Sequence, residues 1–352
     1  MNKNKKIRIV IVEDSFSYRE LLATIFQSTP DMEVVGKARD GLEGIDLAVR
    51  LKPNIVTMDI HMPNMDGFEA TRQIMTKQPC PIIMISASFD PSQRHLTFEA
   101  LRAGALSIID KPTLFAPPQD LEKIVTQVRL MSEVKVIRRW NSSPTMPTKT
   151  DTLPITAPST QANNPRIVAI AASTGGPGLL ARILTKLPAN FPVPVLIVQH
   201  ITPGFGVGLA EWLNQQTPLD VVVATEGLYP KRRQVVIAPD DHHMEINRQG
   251  KLTLHQSPPL YGVRPSADYM FKSMAKIYGR RAIGVILTGM GQDGAEGLLD
   301  MYKAGAHTIA QDKESSVVFG MPAVAIELGA VIQILPDTQI ATTLNSLCPP
   351  IS

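Results

Sequence analysis

The sequence predicts two α/β domains in tandem: a five-stranded, doubly wound sheet first, then a larger α/β domain with a mostly parallel sheet. Three observations predict this. The chain has 352 residues, too many for one ordinary core. Short apolar runs alternate with stretches of helical spacing along most of it. A segment rich in Pro, Thr, Ser and Asn separates two such arrays.

In chain order, the first array offers IRIVIVED, EVVGKAR, PNIVTMDI, PIIMISA and ALSIIDK as strands, with Leu, Ile, Ala and Phe at helical spacing between them. From Trp140 to Pro165 no apolar period is left to bury, so this stretch reads as a linker. A flexible chain of that length spans about 25–30 Å, and its prolines stiffen it further. Behind it RIVAIAAS, VPVLIVQH, LDVVVAT, QVVIAP, AIGVILTG, HTIAQD and VIQIL read as strands, with a hairpin over HMEINRQGKLTLH turning at Gln249-Gly250. The expected division is 1–138, linker 139–164 and 165–352. The halves share an architecture but no repeated motif.

Composition excludes several classes. Hydrophobic residues at 44% and charged residues at 19% match an ordinary globular protein. A net charge of +3 is small for nucleic-acid binding, and Lys3, Lys5, Lys6 and Arg8 read as a solvated tail. Cys80 and Cys348 are too few and too distant for a disulfide framework or a zinc site, which fits a reducing cytoplasm. The first apolar run soon meets Glu13 and Asp14, unlike a signal segment, and no later run reaches the ~18 apolar residues of a membrane span. A soluble chain without membrane insertion is expected.

Parallel strands deliver functional residues at their carboxyl ends. The first strand ends in Glu13-Asp14, the third in Asp59, the fourth in Ser86 and the fifth in Lys111-Pro112. Three carboxylates at one sheet edge call for a hard dication such as Mg²⁺, and with a hydroxyl and a lysine they compose a phosphoryl-transfer site. Any one of these residues alone would read as a strand-end cap or surface charge; five agreeing positions reverse that. His61, close to Asp59, has no partner spacing and reads as a loop residue. Order and spacing, with VEDS, MDIHMPNMDG and DKP, resemble the flavodoxin-like receiver domain of two-component response regulators over roughly residues 7–125. The resemblance implies Asp59 as phosphoacceptor, Glu13, Asp14 and Asp59 as metal ligands, Ser86 as switch hydroxyl and Lys111 as phosphate-sensing cation. It does not extend to an aromatic switch, because Ile108 stands three residues before the lysine where the family often has Phe or Tyr.

In the second domain RIVAIAAS ends in Ser173-Thr174-Gly175-Gly176, and a helix is expected with Pro177 in its first turn. A serine where a strand turns into a helix meets outward backbone N–H groups and the positive end of a dipole, which suits an oxyanion. A Gly-rich turn also suits a phosphate or simply a tight bend. VLIVQH ends in His200, and AIGVILTG leads into Asp293. Hydroxyl, imidazole and acid past three strand ends is the placement a catalytic triad needs. Asp293 with Glu296 equally fits a helix capping box. Asp240-Asp241-His242-His243 looks like a metal cluster, but adjacent residues point in different directions; His255 and His307 read as structural.

The whole second domain is similar to the chemotaxis protein-glutamate methylesterases of the CheB family, in ASTGGP, FPVPVLIVQH, IAPDDHHMEI, RPSADYMF, VILTGMGQDG and SSVVFGMPAVAI. The departures are Ala171 in place of the usual Gly, and Gly206-Val207 where a more polar pair is common. The resemblance implies Ser173 as nucleophile, His200 as base, Asp293 as orienting acid, and N–H groups near Thr174 and Gly175 as oxyanion donors. It implies hydrolysis of glutamate γ-methyl esters on the cytoplasmic domain of a chemoreceptor, deamidation of receptor glutamines, a histidine kinase as phosphodonor, and no cofactor for the esterase step. A non-enzymatic regulator binding a phosphate at the Ser173 turn stays open from the residues alone. A DNA-binding output finds no basic recognition helix in residues 166–352.

Overall fold

The computed structural model describes residues 6–86, 103, 105, 107–112, 117–134, 165–201 and 204–349; the expected linker 139–164 lies outside them. In the first array β1 (Ile7–Val12), β2 (Met32–Ala38), β3 (Ile55–Asp59), β4 (Ile82–Ser86) and β5 (Ser107–Asp110) form one sheet of order β2-β1-β3-β4-β5. Every neighbouring pair is parallel. Alternation along each strand sorts its side chains: Val10 and Val12 join Val56, Met58, Ile82 and Met84 on one face. Ile9 and Ile11 join Ile55, Ile83 and Ile85 on the other. Burial on both faces is why these strands read as unbroken apolar runs.

Helices α2 (Gly41–Leu51) and α3 (Gly67–Lys77) cover the first face through Ile45, Ala48, Phe68 and Ile74. On the opposite face α1 (Phe16–Gln27) and α4 (Pro118–Ser132) contribute Leu22, Phe26, Ile124 and Val128. Two of these helices begin on acidic caps, Asp40 accepting from the Glu43 N–H at 2.9 Å and Asp66 from the Glu69 N–H at 2.8 Å. Each carboxylate satisfies an orphan donor and faces the positive end of its helix.

The second array builds a seven-stranded sheet from β6 (Ile167–Ala172), β7 (Val195–Gln199), β8 (Asp220–Val223), β9 (Gln234–Ile237), β12 (Ala282–Ile286), β13 (His307–Gln311) and β14 (Gln333–Leu335). Its order is β14-β13-β12-β6-β7-β9-β8. All six pairings are parallel. The antiparallel pair β10 (His243–Ile246) and β11 (Leu252–His255) stands apart as a hairpin, closed through Gly250 at φ 76°. The sheet proper is therefore wholly parallel.

Strand β6 is buried along its whole length, and its residues again divide by parity. Val168, Ile170 and Ala172 face α5 (Gly176–Thr185), α6 (Gly206–Gln216) and α10 (Asp337–Leu347). Ile167, Ala169 and Ala171 face α7 (Ala267–Ile277), α8 (Ala295–Lys303) and α9 (Met321–Glu327). Helix α7 lays Ala267, Met270, Phe271 and Met274 on this core, the i, i+3, i+4, i+7 stripe of an amphipathic helix.

Where strand order reverses, a crevice opens at the carboxyl edge. In the first sheet this happens between β1 and β3; in the second, between β6 and β12. The two domains also touch. Val317 and Val318 of the second pack against the core under α1 and α4, and Met290 lines a groove with Ile25, Thr29, Leu121 and Val125. No helix among the described residues is long and apolar enough to cross a membrane.

Candidate functional site

The first crevice is acidic. Glu13 follows β1, Asp59 ends β3, and both are buried, while Asp14 is exposed. Carboxylate oxygens of all three lie within 4.8 Å of one another. Lys111, just past β5, reaches in and donates to Glu13 Oε1 at 2.9 Å and to Asp59 Oδ2 at 3.0 Å. Its Nζ is also 2.9 Å from Glu13 Oε2, an ionic contact, and that oxygen has no hydrogen-bond partner. Asp59 Oδ1 accepts the Ile60 N–H at 2.7 Å.

Burial pushes the Glu13 carboxyl up to about 7; the Lys111 hydrogen bond opposes this and the Asp59 charge reinforces it. Lys111 is held above its ordinary value: burial works against its charge, but Glu13 and Asp59 outweigh it. One lysine against three clustered carboxylates leaves a surplus of negative charge, and Glu13 Oε2 is buried without a hydrogen bond, which fits a hard cation bound through oxygen.

Gly67 belongs to this pocket, because a β-carbon there would lie 2.1 Å from the Asp59 carbonyl oxygen. Its N–H donates to Ile60 O at 2.9 Å, so the loop after β3 folds tightly back on the strand end. Ser86 closes β4 opposite Asp110 in register; its side chain lies outside the described residues, as does that of Ile108. His61 is exposed.

The second crevice gathers the other set. Ser173 follows β6, and its N–H donates to Thr288 O at 3.0 Å while its carbonyl accepts from Gly176 N at 2.8 Å. Helix α5 begins immediately after, with Pro177 in its first turn and Gly175 as N-cap at φ 78°. A β-carbon on Gly175 would come within 2.6 Å of Val317, so conformation and space both require glycine. The Thr174 and Gly175 N–H groups have no partner among the described residues.

His200 follows β7, its N–H bonded to Ala172 O at 2.9 Å. Gln199 Nε2 donates to both Ser173 O (2.9 Å) and His200 O (2.8 Å), clamping the two strand ends together. Thr288 Oγ1 donates to Thr174 O at 2.9 Å from the β12 side. Gly289 lets that segment approach, because a β-carbon there would sit 2.7 Å from Ser173 Cβ.

Asp293 lies between β12 and α8, 3% exposed. Its Oδ2 is 2.8 Å from His200 Nε2 and accepts the Ala267 N–H at 2.6 Å. Its Oδ1 accepts the Ser266 hydroxyl at 2.5 Å. Burial pushes this carboxyl up, but the His200 hydrogen bond and charge, with Ser266 and Ala267, hold it below the ordinary aspartate value. The capping-box alternative is not formed: Gly294 caps α8 without a side chain, and Glu296 pairs with Lys272 at 3.2 Å.

Because Nε2 meets Asp293, Nδ1 is the ring nitrogen left for a hydroxyl. Ser173 makes no hydrogen bond to His200 among the described residues, a contact that in free hydrolases is often long and tightens with substrate.

The Asp240–His243 run disperses. Asp240 accepts the Gly204 and Gly206 N–H groups (2.8 and 3.3 Å), and Asp241 pairs with Arg264. His242 turns to its own chain at Asp240 O, and His243 is buried under Ser266. His255 faces His243 across the hairpin, and His307 begins β13. Sequence reasoning passed over Ser266, Ala267, Gln199 and Thr288. Only the helix start at Ser266 carried a local signal, a serine ahead of an amphipathic stretch.

A family model of CheB methylesterases matches residues 168–344, and one of response regulator receiver domains matches residues 9–126. A Myxococcus xanthus protein named protein-glutamate methylesterase/protein-glutamine glutaminase 4 is 44% identical over 349 residues, spanning 98% of each chain. A Nitrosospira multiformis protein with the corresponding name is 44% identical over 349 residues and 97% of each chain. The crystal structure of the Thermotoga maritima CheB methylesterase catalytic domain is 42% identical, covering 52% of this chain and 98% of that one with a TM-score of 0.51.

Proposed function

The chain belongs to the CheB methylesterase family, with a response-regulator receiver domain ahead of the methylesterase domain, and we propose from that premise how its residues act. The reaction is hydrolysis of glutamate γ-methyl esters on chemoreceptors in the cytoplasm, releasing methanol, with deamidation of receptor glutamines by the same chemistry. The proposed domain division is residues 1–138, 139–164 and 165–352. The observation that carries the mechanism is the buried His200–Asp293 pair, 2.8 Å apart, in the crevice that also holds Ser173.

Ser173 Oγ gives its proton to His200 Nδ1 and bonds to the ester carbonyl carbon. The developing oxyanion is met by the Thr174 and Gly175 N–H groups, each such donor worth roughly 10²–10³ in rate. His200 then passes the proton to the departing methoxide, which leaves as methanol. Water gives a proton to Nδ1 and its oxygen bonds to the acyl carbon; Nδ1 then returns that proton to Ser173 Oγ as the acyl–Oγ bond breaks, freeing glutamate and restoring the serine. Asp293 stays ionised throughout, holding His200 in the tautomer with its proton on Nε2.

In the receiver Asp59 accepts a phosphoryl group from a histidine kinase, and Lys111 and Ser86 respond to it. Glu13, Asp14 and Asp59 would hold Mg²⁺, which neutralises phosphoryl charge when bound. Support for control of the second domain by the first comes from Val317, which touches both the receiver core and the Ser173 turn. Unphosphorylated receiver packs at the crevice; phosphorylation weakens that contact.

Methanol release from methylated receptor, with and without a small phosphodonor, tests both parts. Ser173→Ala should abolish release, and Asp59→Asn should abolish stimulation alone. A Ser173→Ala protein as fast as the parent would sink the mechanism.

A further inference from the structure

We propose that Ser266 is a positioning residue for Asp293, fixing the carboxylate that orients His200; the inference rests on the triad reading above. The two residues meet because helix α7 starts against the segment that follows β12. Ser266 is the N-cap of α7, extended at φ −108° and ψ 135°. A capping hydroxyl normally only accepts, here from the Asp268 N–H at 3.2 Å. It has one proton to give, and this one goes to Asp293 Oδ1 at 2.5 Å. The next residue, Ala267, gives its backbone N–H to the other oxygen, Oδ2, at 2.6 Å.

Three donors from one helix start thus grip the two carboxylate oxygens, the Asp268 N–H adding a longer bond of 3.4 Å to Oδ1 that cannot replace the short one from the hydroxyl. Oδ2 is left aimed at His200 Nε2, and rotation about the Cβ–Cγ bond would break both grips. Asp293 and Ser266 are buried, so water offers no substitute donor.

The serine is itself held from behind. Its N–H donates to His243 Nδ1 at 3.1 Å, and His243 Nε2 lies 3.2 Å from Pro258 O, which fixes the tautomer as Nε2–H. His243 is fully buried and stacks 4.2 Å from Tyr269. Burial keeps this imidazole below its ordinary pKa, as an acceptor at Nδ1 requires. A serine serving only as a helix cap would need neither the proton placed on Asp293 nor a histidine holding its amide.

The cap and the positioning role separate by substitution. Glycine is nearly as good an N-cap as serine, whereas alanine is poor. Neither can donate to Asp293. Threonine keeps both functions. In the full chain, with a methylated chemoreceptor cytoplasmic fragment as substrate, Ser266→Ala and Ser266→Gly should each lower kcat by about tenfold to a hundredfold, the range for a hydrogen bond to a charged group. KM should stay within about twofold and labelling of Ser173 by a fluorophosphonate should slow in parallel, because a transition-state contact is lost rather than substrate binding. Ser266→Thr should restore kcat to within about threefold of the parent, as conservative rescue requires.

If Ser266→Gly instead recovers parental kcat while Ser266→Ala does not, the serine is a cap and the proposal is overturned. The same holds if both variants match the parent while the fluorophosphonate still labels Ser173. A parent that is never labelled at Ser173 removes the triad reading itself, and the proposal with it.

Discussion

Val317 lies against Gly175, so close that a β-carbon at 175 would fall 2.6 Å from that of the valine. The same valine packs, with Val318, on the receiver core beneath α1 and α4. One side chain therefore touches both the turn after Ser173 and the domain that carries Asp59.

Val317→Ala removes two methyl groups from that contact. A loss of about 1 kcal/mol in a two-state domain contact shifts its equilibrium about fivefold. Methanol release without phosphodonor should rise severalfold, and the ratio of stimulated to basal rate should fall by a similar factor. An unchanged ratio would separate Val317 from regulation.

Gly175→Ala meets two obstacles, the φ of 78° and the valine. The left-handed backbone alone costs a β-carbon about 1–2 kcal/mol. A fall in kcat of about tenfold to a hundredfold is expected from the displaced turn. Adding Val317→Ala should recover part of it by removing the overlap with the valine methyls, but not the overlap with its β-carbon or the backbone strain, a coupling read from the double-mutant cycle.

Lys111→Met would leave Glu13 and Asp59 without their buried cation. Breaking such a pair costs about 3–5 kcal/mol, visible as an earlier unfolding transition of the receiver. Stimulation by a small phosphodonor should disappear while basal methanol release persists. Chelating divalent metal in the parent should likewise remove stimulation alone, and a chelator-resistant response would count against Mg²⁺ at Glu13, Asp14 and Asp59.

Asp268 supplies a pH test. Burial pushes its carboxyl from 3.8 up to about 6, and its Oδ2 has no hydrogen-bond partner. A folded value above the unfolded one means that the folded chain holds the extra proton between the two. This group's contribution to stability is complete below about pH 4 and lost as pH rises through about 6. Asp268→Asn keeps an acceptor for the Gly297 N–H and removes the titration. Urea unfolding at pH 7 should then show about 1–3 kcal/mol more stability than the parent, with no gain at pH 4. Parallel curves for the two proteins would refute the assignment.

The sheets were legible because a parallel strand buried on both faces must be apolar at consecutive positions, as Ile167 to Ala172 are. Their carboxyl ends pointed to Glu13 and Asp59, and, only together with the family-like segments around them, to Ser173 and His200. The hairpin was legible at Gly250, where a positive φ is needed. What supports Asp293 was not. Ser266 reaches it from another element, and no periodicity in Arg264-Pro265-Ser266 shows which carboxylate a helix start will face. Gln199 was hidden differently, because a polar residue ending an apolar strand looks like the strand's exit to water. Here it is buried and turned along the sheet edge to hold the two neighbouring carbonyls. The metal-like run Asp240–His243 misled in the opposite sense, since closeness in sequence did not make a common focus.

The central strands of the second sheet come from distant parts of its chain: Ala282 of β12 pairs with Ile167 of β6, while β6 also pairs with β7. During synthesis Ser173 and His200 therefore emerge and can be laid side by side long before Asp293 exists. A nascent or nicked chain lacking β12 and the segment after it holds a serine and an imidazole without Asp293, and is expected to be far slower toward esters. Such non-local pairings are the slow part of folding. In refolding, helical signal should return first and methanol release last, making hydrolysis a report of sheet closure rather than of collapse.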